Sequence, residues 1–548
     1  MDGLPHGIFI WVNTKGRIGK KMLDEYYRNG ELFIAELIRR REENKAFLTT
    51  DEVLKDVKVD DEFIKENFRE PVIEFLGRSN VSERSTEGVI IDLFRKYFEV
   101  SGKVKKKLLF SMDIECEGDL NEGIIPEKLK NRLKTEGFTL SDSSAVTKRK
   151  ANEWVIGDKE RFVVRKKAGK LNIYANTILY ASFLNTKRGV CSYCGEETEV
   201  FDHISYIFPL YRKIDSITPD KAKLRFCKKC GFTLYCGMAY LYKKGKSEAR
   251  KAEKNIRFFF YSHDFDALEG INKHFNNQEM LDVSNYKEIN TNRFCVRTFH
   301  PYETLFVTFF EFVKYLKRKN LIKDVGEVIK NVKLILAAGS GQIYSHRSIE
   351  GNVLDKLTRF FVTIIEESER IYKGMERNKR PKAGPVDLIF SGFFNNLTIN
   401  KGDFGEDRRL REEFTRHLFS EGMDFITLNA ILMERKKSNL RFPFYYRDFI
   451  VTYMGVFGMD KELFERINRL GYELGKEMRG TNLENFVWEI HRARGAEQFY
   501  SSLVELQAKL KTSIDLRPIN EYEKGWREAK AILLNGMLNA IYGGKRNE

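Results

Sequence analysis

Four cysteines carry the sharpest chemical pattern in the chain: Cys191-Ser-Tyr-Cys194-Gly195 and Cys227-Lys-Lys-Cys230-Gly231. Each pair brackets two residues and runs straight into glycine. A tetrahedral Zn²⁺ takes two thiolates from one tight turn whose backbone amides point at the sulfurs, and two such turns complete a Cys₄ shell. Glycine after the second cysteine permits the positive φ that closes such a turn. Buried hydrophobes have no reason to repeat as Cys-x-x-Cys-Gly, an intracellular compartment disfavours disulfides, and a redox pair needs only one motif. The expectation is one structural Zn²⁺ on Cys191, Cys194, Cys227 and Cys230, with no open position for catalysis. Cys236 and His203 are alternative ligands by their place in the chain, while Cys116 and Cys295 read as core.

Other reactive constellations are sparse. Gly245-Lys246-Ser247 has the tail of a phosphate-binding loop, but Tyr240 stands where that loop requires glycine. No His-Glu-x-x-His, Gly-x-Ser-x-Gly or Gly-x-Gly-x-x-Gly pattern occurs. His263-Asp264-Phe265-Asp266 has the look of a metal-dependent hydrolase dyad without a second His/Asp set. Asp113, Glu115, Glu117 and Asp119 form an acidic cluster that a solvated strand face explains more simply than Mg²⁺. Ala338-Gly339-Ser340-Gly341 reads as a turn after a strand. The chain is therefore expected not to be an enzyme.

Cations recur instead, and their distribution is uneven. Residues 141–330 hold 35 basic and 22 acidic side chains, +13 of the formal +16, whereas residues 1–140 sum to −2. A polyanion-binding surface needs such localisation, because each neutralised phosphate releases counterions. The clusters are Lys148-Arg149-Lys150, Arg165-Lys166-Lys167, Lys228-Lys229 inside the second cysteine pair, Lys243, Lys244 and Lys246, and Lys317-Arg318-Lys319. Aromatic residues lie near them, and Tyr or Phe stacks on unpaired bases. These fourteen residues are the nucleic-acid-binding candidates. A lysine-rich thermophile surface is the competing explanation, and the presence of only four glutamines fits such a habitat.

Positioning these groups requires several domains, because 548 residues exceed one ordinary core. No apolar run of membrane-spanning length and no basic-then-apolar leader occurs, so a soluble cytoplasmic protein is expected. Residues 1–140 read as a mixed α/β domain. Within it, Lys20 to Asn44 is a helix kinked near Asn29-Gly30, with Phe33, Ile34, Leu37 and Ile38 as its apolar stripe. Phe110, Met112, Ile114 and Cys116 alternate with polar residues as a half-buried strand. Residues 141–330 read as a basic α/β domain enclosing the zinc region, about 185–240. Arg161–Lys167 and Lys170–Tyr174 form a hairpin with a very basic face. Further strands are expected at Ile256–Ser262, Phe294–His300 and Lys333–Ala338, and a helix at Phe309–Asn320. Residues 331–400 complete the α/β part and connect it, near Pro381 and Pro385, to a helical bundle over 401–548. There Phe499, Leu503, Leu506 and Leu510 share a helix face, as do Trp526, Ala529, Leu533, Met537 and Ile541. The fold class is α+β, multi-domain.

A basic α/β region with two Cys-x-x-Cys-Gly knuckles, followed by a helical domain, resembles the large subunit of type I CRISPR surveillance (Cascade) complexes. The resemblance is to the I-A/I-B group named for its paired Cys-x-x-Cys region. Gly471-Tyr-Glu-Leu-Gly-Lys-Glu-Met, Asn482 and His491-Arg-Ala-Arg-Gly-Ala-Glu-Gln-Phe499 are similar to that family's C-terminal helices. The resemblance implies a non-catalytic scaffold that reads the PAM in double-stranded DNA, helps open it, holds the displaced single strand and recruits the helicase–nuclease in antiviral defence. Its implied partners are the CRISPR RNA and the backbone, crRNA-end and small subunits. Base pairing reads the target in such assemblies while protein reads only the short PAM. Two other classes remain open at this point: a zinc-stapled nuclease using Asp113 or Asp264, and a DNA-binding adaptor.

Overall fold

The computed structural model describes residues 17–56, 58–59, 63, 113–117, 127–128, 130–131, 146–150, 153–156, 162–167, 170–175, 187–201, 225–244, 256–276, 281, 288–340, 343–376, 384–397, 406–522 and 525–543. They form an α+β protein whose C-terminal region is helical. Two compact units are present, each built from separated segments: Met1–Lys243 with Arg257–Glu288 and Gly341–His346, and Lys244–Ile256 with Ile289–Ser340 and Arg347–Glu548. The serial divisions read near 140, 330 and 400 are not the boundaries between these units.

In the first unit, helix α1 (Arg17–Arg41) runs unbroken through Asn29-Gly30, where the sequence reads as a kink. Both residues have tertiary reasons to be there. The Asn29 amide donates to the Glu25 and Phe260 carbonyls, at 3.1 and 2.8 Å. Gly30 lies against the Thr233 carbonyl, with no room for a Cβ. Phe33, Ile34 and Ile38 are buried, as the stripe requires.

A five-stranded antiparallel sheet follows, from β1 (Asp113–Glu117), β2 (Val146–Lys150), β3 (Glu153–Ile156), β4 (Phe162–Lys167) and β5 (Lys170–Ala175), in the order β1-β5-β4-β3-β2. The expected hairpin is β4–β5, closing at Lys167 opposite Lys170. Directly opposed residues share a face. The register therefore puts Ile114, Ile173, Val164 and Trp154 on one face, and Glu115, Asn172, Arg165 and Glu153 on the other.

The cysteine region comprises β6 (Lys187–Val190), β7 (Glu197–Phe201), β8 (Phe226–Cys227) and α2 (Lys228–Cys236). It is followed by β9 (Tyr242–Lys244), β10 (Arg257–Tyr261) and α3 (Phe265–Phe275). Tyr242 is fully buried among Phe258, Phe260 and Phe275, and its hydroxyl donates to the Asn272 and Asn276 side chains.

The second unit contains α4 (Pro301–Arg318), α5 (Ile322–Ile329), β11 (Lys333–Ser340), α6 (Gly351–Gly374), α7 (Leu388–Phe394), α8 (Glu406–Phe419), α9 (Phe425–Lys437), α10 (Tyr446–Phe457), α11 (Lys461–Met478), α12 (Phe486–Arg492), α13 (Ala496–Leu510) and α14 (Trp526–Tyr542). The strand expected at Phe294–His300 is absent. Its backbone N–H groups are taken by side chains of α4: Cys295 donates to Glu311, and Phe299 and His300 to Glu303. A segment whose donors serve as a helix lead-in cannot also form a ladder. Phe306, Phe310, Phe361, Phe390, Phe394 and Phe449 make the core, with Phe310 stacked on Phe390 at 3.8 Å. Farther along, Gly471 and Gly475 of α11 meet the α14 backbone at Leu533 and Met537, and Gly536 of α14 meets Asn468. The stretch beginning at Gly471 is thus glycine-rich because two helices touch backbone to backbone there.

Candidate metal centre and basic clusters

The first cysteine pair sits in the turn of the β6–β7 hairpin, whose register runs from Lys187 opposite Val200 to Val190 opposite Glu197. Cys191 N–H donates to the Glu196 carbonyl and Gly195 N–H to the Cys191 carbonyl, at 2.9 and 3.0 Å. Gly195 takes φ +79°, as expected for a residue closing this turn. The second pair is built differently. Cys227 ends β8, which pairs with β7, and Cys230 lies in the first turn of α2. Gly231 continues that helix and does not adopt the positive φ that the sequence pattern implies, because helix amides replace a second tight turn. The helix N-terminus supplies a partial positive charge suited to thiolates.

Backbone pairing locks the two halves together. Ser192 N–H donates to the Arg225 carbonyl at 2.7 Å, and Arg225 N–H returns to Ser192 Oγ at 2.9 Å. Cys227 N–H points at Cys191 Sγ (3.3 Å) and Cys230 N–H at Cys227 Sγ (3.4 Å). All four Sγ atoms lie within 4.8 Å of one another, and Cys194 and Cys227 are 3.9 Å apart. Four sulfurs about 2.3 Å from one tetrahedral ion stand about 3.8 Å apart, so the donor set fits Zn²⁺.

The thiols share charge unevenly. Hydrogen bonds from Cys227 and Cys230 pull Cys191 far below the ordinary thiol range. The same bonds push Cys227 up to about 12 and Cys230 higher still, and burial raises Cys194. Binding a dication through four thiolates is coupled to loss of protons. Cys191, Cys227 and Cys230 are buried and Cys194 is exposed. Cys236, buried at the far end of α2, is not in the cluster, and His203 lies outside the described residues.

The basic candidates divide into unlike groups. Arg165 and Lys167 of β4, with Lys170 of β5, occupy one sheet face together with Glu115 and Glu117 of β1 and Glu153 of β3. The register thus places three acidic residues on the same face as the hairpin's cations, and it puts Asp113, Glu115 and Glu117 on strand β1. Lys148, Arg149 and Lys150 are on the edge strand β2, with a register shift between Lys148 and Lys150. Lys166 occupies the opposite face from Arg165 and Lys167. Lys228 pairs with Glu199 at 3.3 Å, while Lys229 is exposed. Lys243 stands opposite Arg257 in the β9–β10 ladder. Lys244 is not a surface cation: it is 5% exposed and its ammonium donates to the Thr298 carbonyl at 2.7 Å. Lys246 lies outside the described residues. Lys317 pairs with Glu366, and Arg318 and Lys319 are exposed at the end of α4.

Asp264 is the N-cap of α3, accepting from the Asp266 and Ala267 amides, which accounts for the His-Asp-Phe-Asp motif. Cys295, read as core, is half-buried beside Glu311 and Asp387. Lys314 Nζ lies 2.6 and 2.9 Å from the two carboxylates and supplies that cluster's cation. Sequence reasoning misses this group because its members are 92 residues apart at the extremes. Among the described residues no helix is long and apolar enough to cross a membrane. No protein-family model and no curated protein matches the chain.

Proposed function

We propose that the chain is the non-catalytic large subunit of a type I CRISPR RNA-guided surveillance complex, stapled by one structural Zn²⁺. Its role is to engage PAM-bearing double-stranded DNA, stabilise the opened strands and present a docking platform for the helicase–nuclease. The observation that carries this reading is a convergent Cys₄ centre inside the segment that holds +13 of the formal +16, on a chain that continues into a helical region. The assignment of Asp264 to a helix cap supports a binding role over hydrolysis.

The test is affinity purification of the tagged full chain from its native cells. A small RNA with a constant 5′ tag should co-purify with several partner proteins. Recovery without RNA, or Mg²⁺-dependent cleavage of nucleic acid by the pure chain, overturns the reading. On duplex DNA, neutralising Lys148, Arg149 and Lys150 together should flatten the slope of log affinity against log salt, by roughly 0.9 for each phosphate that is no longer neutralised.

A further inference from the structure

The cysteine region does not stand alone: one face of α1 is fitted to it at both of its halves. Tyr193, between the first two cysteines, stacks on Tyr27 of α1 with ring centres 4.4 Å apart and planes 23° from parallel. The Tyr193 hydroxyl donates to the Asp24 carboxylate one helical turn earlier. On the other half, the Thr233 hydroxyl of α2 donates to the Lys229 carbonyl, and the Thr233 carbonyl faces α1. Gly30 then lets α1 press against the Thr233 carbonyl, where any side chain would collide with backbone. Gly237, just past α2, does the same in return, since a Cβ there would lie 2.5 Å from the Tyr26 carbonyl. Asp24, Tyr27 and Gly30 recur at three-residue spacing, so they share one side of the helix.

We propose that Tyr27 and Gly30 of α1 are positioning residues of the metal centre, setting the separation between the Cys191/Cys194 turn and the α2 turn that carries Cys230. Tyr27 meets the turn through Tyr193, and Gly30, one turn on, meets the helix at the Thr233 carbonyl. Groups behind a ligand shell fix the orientation of the ligands, and their loss typically costs 10–100-fold in metal affinity. Coupling of this kind is reciprocal, so metal occupancy in turn holds α1 against α2. The inference rests on the Cys₄ centre binding a metal, as proposed above.

A residue two to three turns farther along α1 provides the control. Arg39 bonds instead to Glu269 of α3 at 2.7 and 2.8 Å and to Thr50 at 2.8 Å. The experiment measures Zn²⁺ affinity of the full chain by competition with a chromophoric chelator, for wild type, Tyr27→Ala, Tyr27→Phe, Gly30→Ala and Arg39→Ala. Tyr27→Ala and Gly30→Ala should weaken Zn²⁺ binding by about 10–100-fold. Tyr27→Phe, which keeps the stack, should restore most of that affinity. Arg39→Ala should lower thermal stability with affinity unchanged. Wild-type affinity in folded Tyr27→Ala and Gly30→Ala overturns the proposal while leaving the metal centre in place. Equal weakening in all three alanine variants also overturns it, because α1 then acts only through general stability. Absence of stoichiometric Zn²⁺ from the wild type sinks the metal reading itself.

Discussion

The cysteine region and the α11–α14 pair solve one packing problem with opposite resources. Both bring helices into backbone contact through glycine: Gly30 against Thr233 in the first, Gly471 and Gly536 against the facing helix in the second. Around the first contact the elements are short, with strands of four, five and two residues and a nine-residue helix. Phe226, Phe232 and Leu234 are fully buried there, yet the elements that carry them are short, and small cores gain most from a staple. Around the second contact, eleven of the seventeen α14 residues are buried, so that helix is enclosed nearly all round. Each fully buried Leu, Ile or Phe contributes about 1.5–3 kcal/mol, and the neighbours of α14 need no metal. The contrast teaches where each region is vulnerable. The cysteine region should fail with its ion, and the helical one with its packing.

Metal removal is the largest way to break this contrast. Structural Zn²⁺ sites contribute about 10–16 kcal/mol of apparent binding energy near pH 7, which is folding energy for the elements they join. Chelation of the full chain should abolish hydrogen-exchange protection over 187–201 and 225–240 and leave it intact over 461–478 and 526–542. Equal loss in both regions, or in neither, would falsify the contrast. Because the ligands must shed protons, the chelator concentration needed should fall as pH is lowered from 8 to 6.

The converse perturbation is Gly536→Leu. Its Cβ would meet the Asn468 carbonyl and the Tyr472 amide, both backbone groups that cannot swing away. Overpacking typically costs about 1–3 kcal/mol, and backbone collision lies at the upper end or beyond. Thermal unfolding of the helical region should drop accordingly, with Zn²⁺ content unchanged. A variant of wild-type stability would show that α11 and α14 are not packed backbone to backbone.

Whether a feature is legible in the sequence depends on whether it is local. The four ligands, the β4–β5 hairpin and the helix faces at Phe499–Leu510 and Trp526–Ile541 rest on short-range spacing, and the structure has them there. Gly30 misleads because a glycine that breaks a helix and one that receives a neighbour look alike until Thr233 is in place. The neighbours of the β4 cations are also out of view, since Glu115 and Glu117 join that sheet face from β1, nearly fifty residues upstream. Lys244 belongs to a run of surface-type cations, and only the Thr298 carbonyl reveals it as a buried donor. Tyr27 and Asp24 carry no signal at all, since nothing in a helix announces which aromatic will meet a distant turn.

The smallest effect concerns charge inside the helical unit, where no metal offsets it. Glu303 of α4 and Arg411 of α8 form a buried pair, Nε to Oε2 at 2.8 Å, and Arg411 also donates to the Arg297 carbonyl. Beside them, Glu412 accepts the Tyr302 and Glu303 amides at 2.9 and 3.1 Å, closing the N-terminus of α4 from another helix. Burial, with the Glu303 charge adding to it, pushes the Glu412 carboxyl up to about 8, against the two amides and Arg416. The folded form therefore holds a proton that the unfolded chain releases near the ordinary glutamate value of about 4.3. The stability this group contributes is full below that value and is lost as pH rises toward 8. Glu412→Gln keeps a carbonyl oxygen for the amides and removes the charge. Its thermal midpoint should match wild type at pH 4.5 and exceed it at pH 8, by a few degrees if roughly 1 kcal/mol is recovered. A lower midpoint at both pH values would mean that the two amides keep Glu412 ionised, making its charge part of what caps α4.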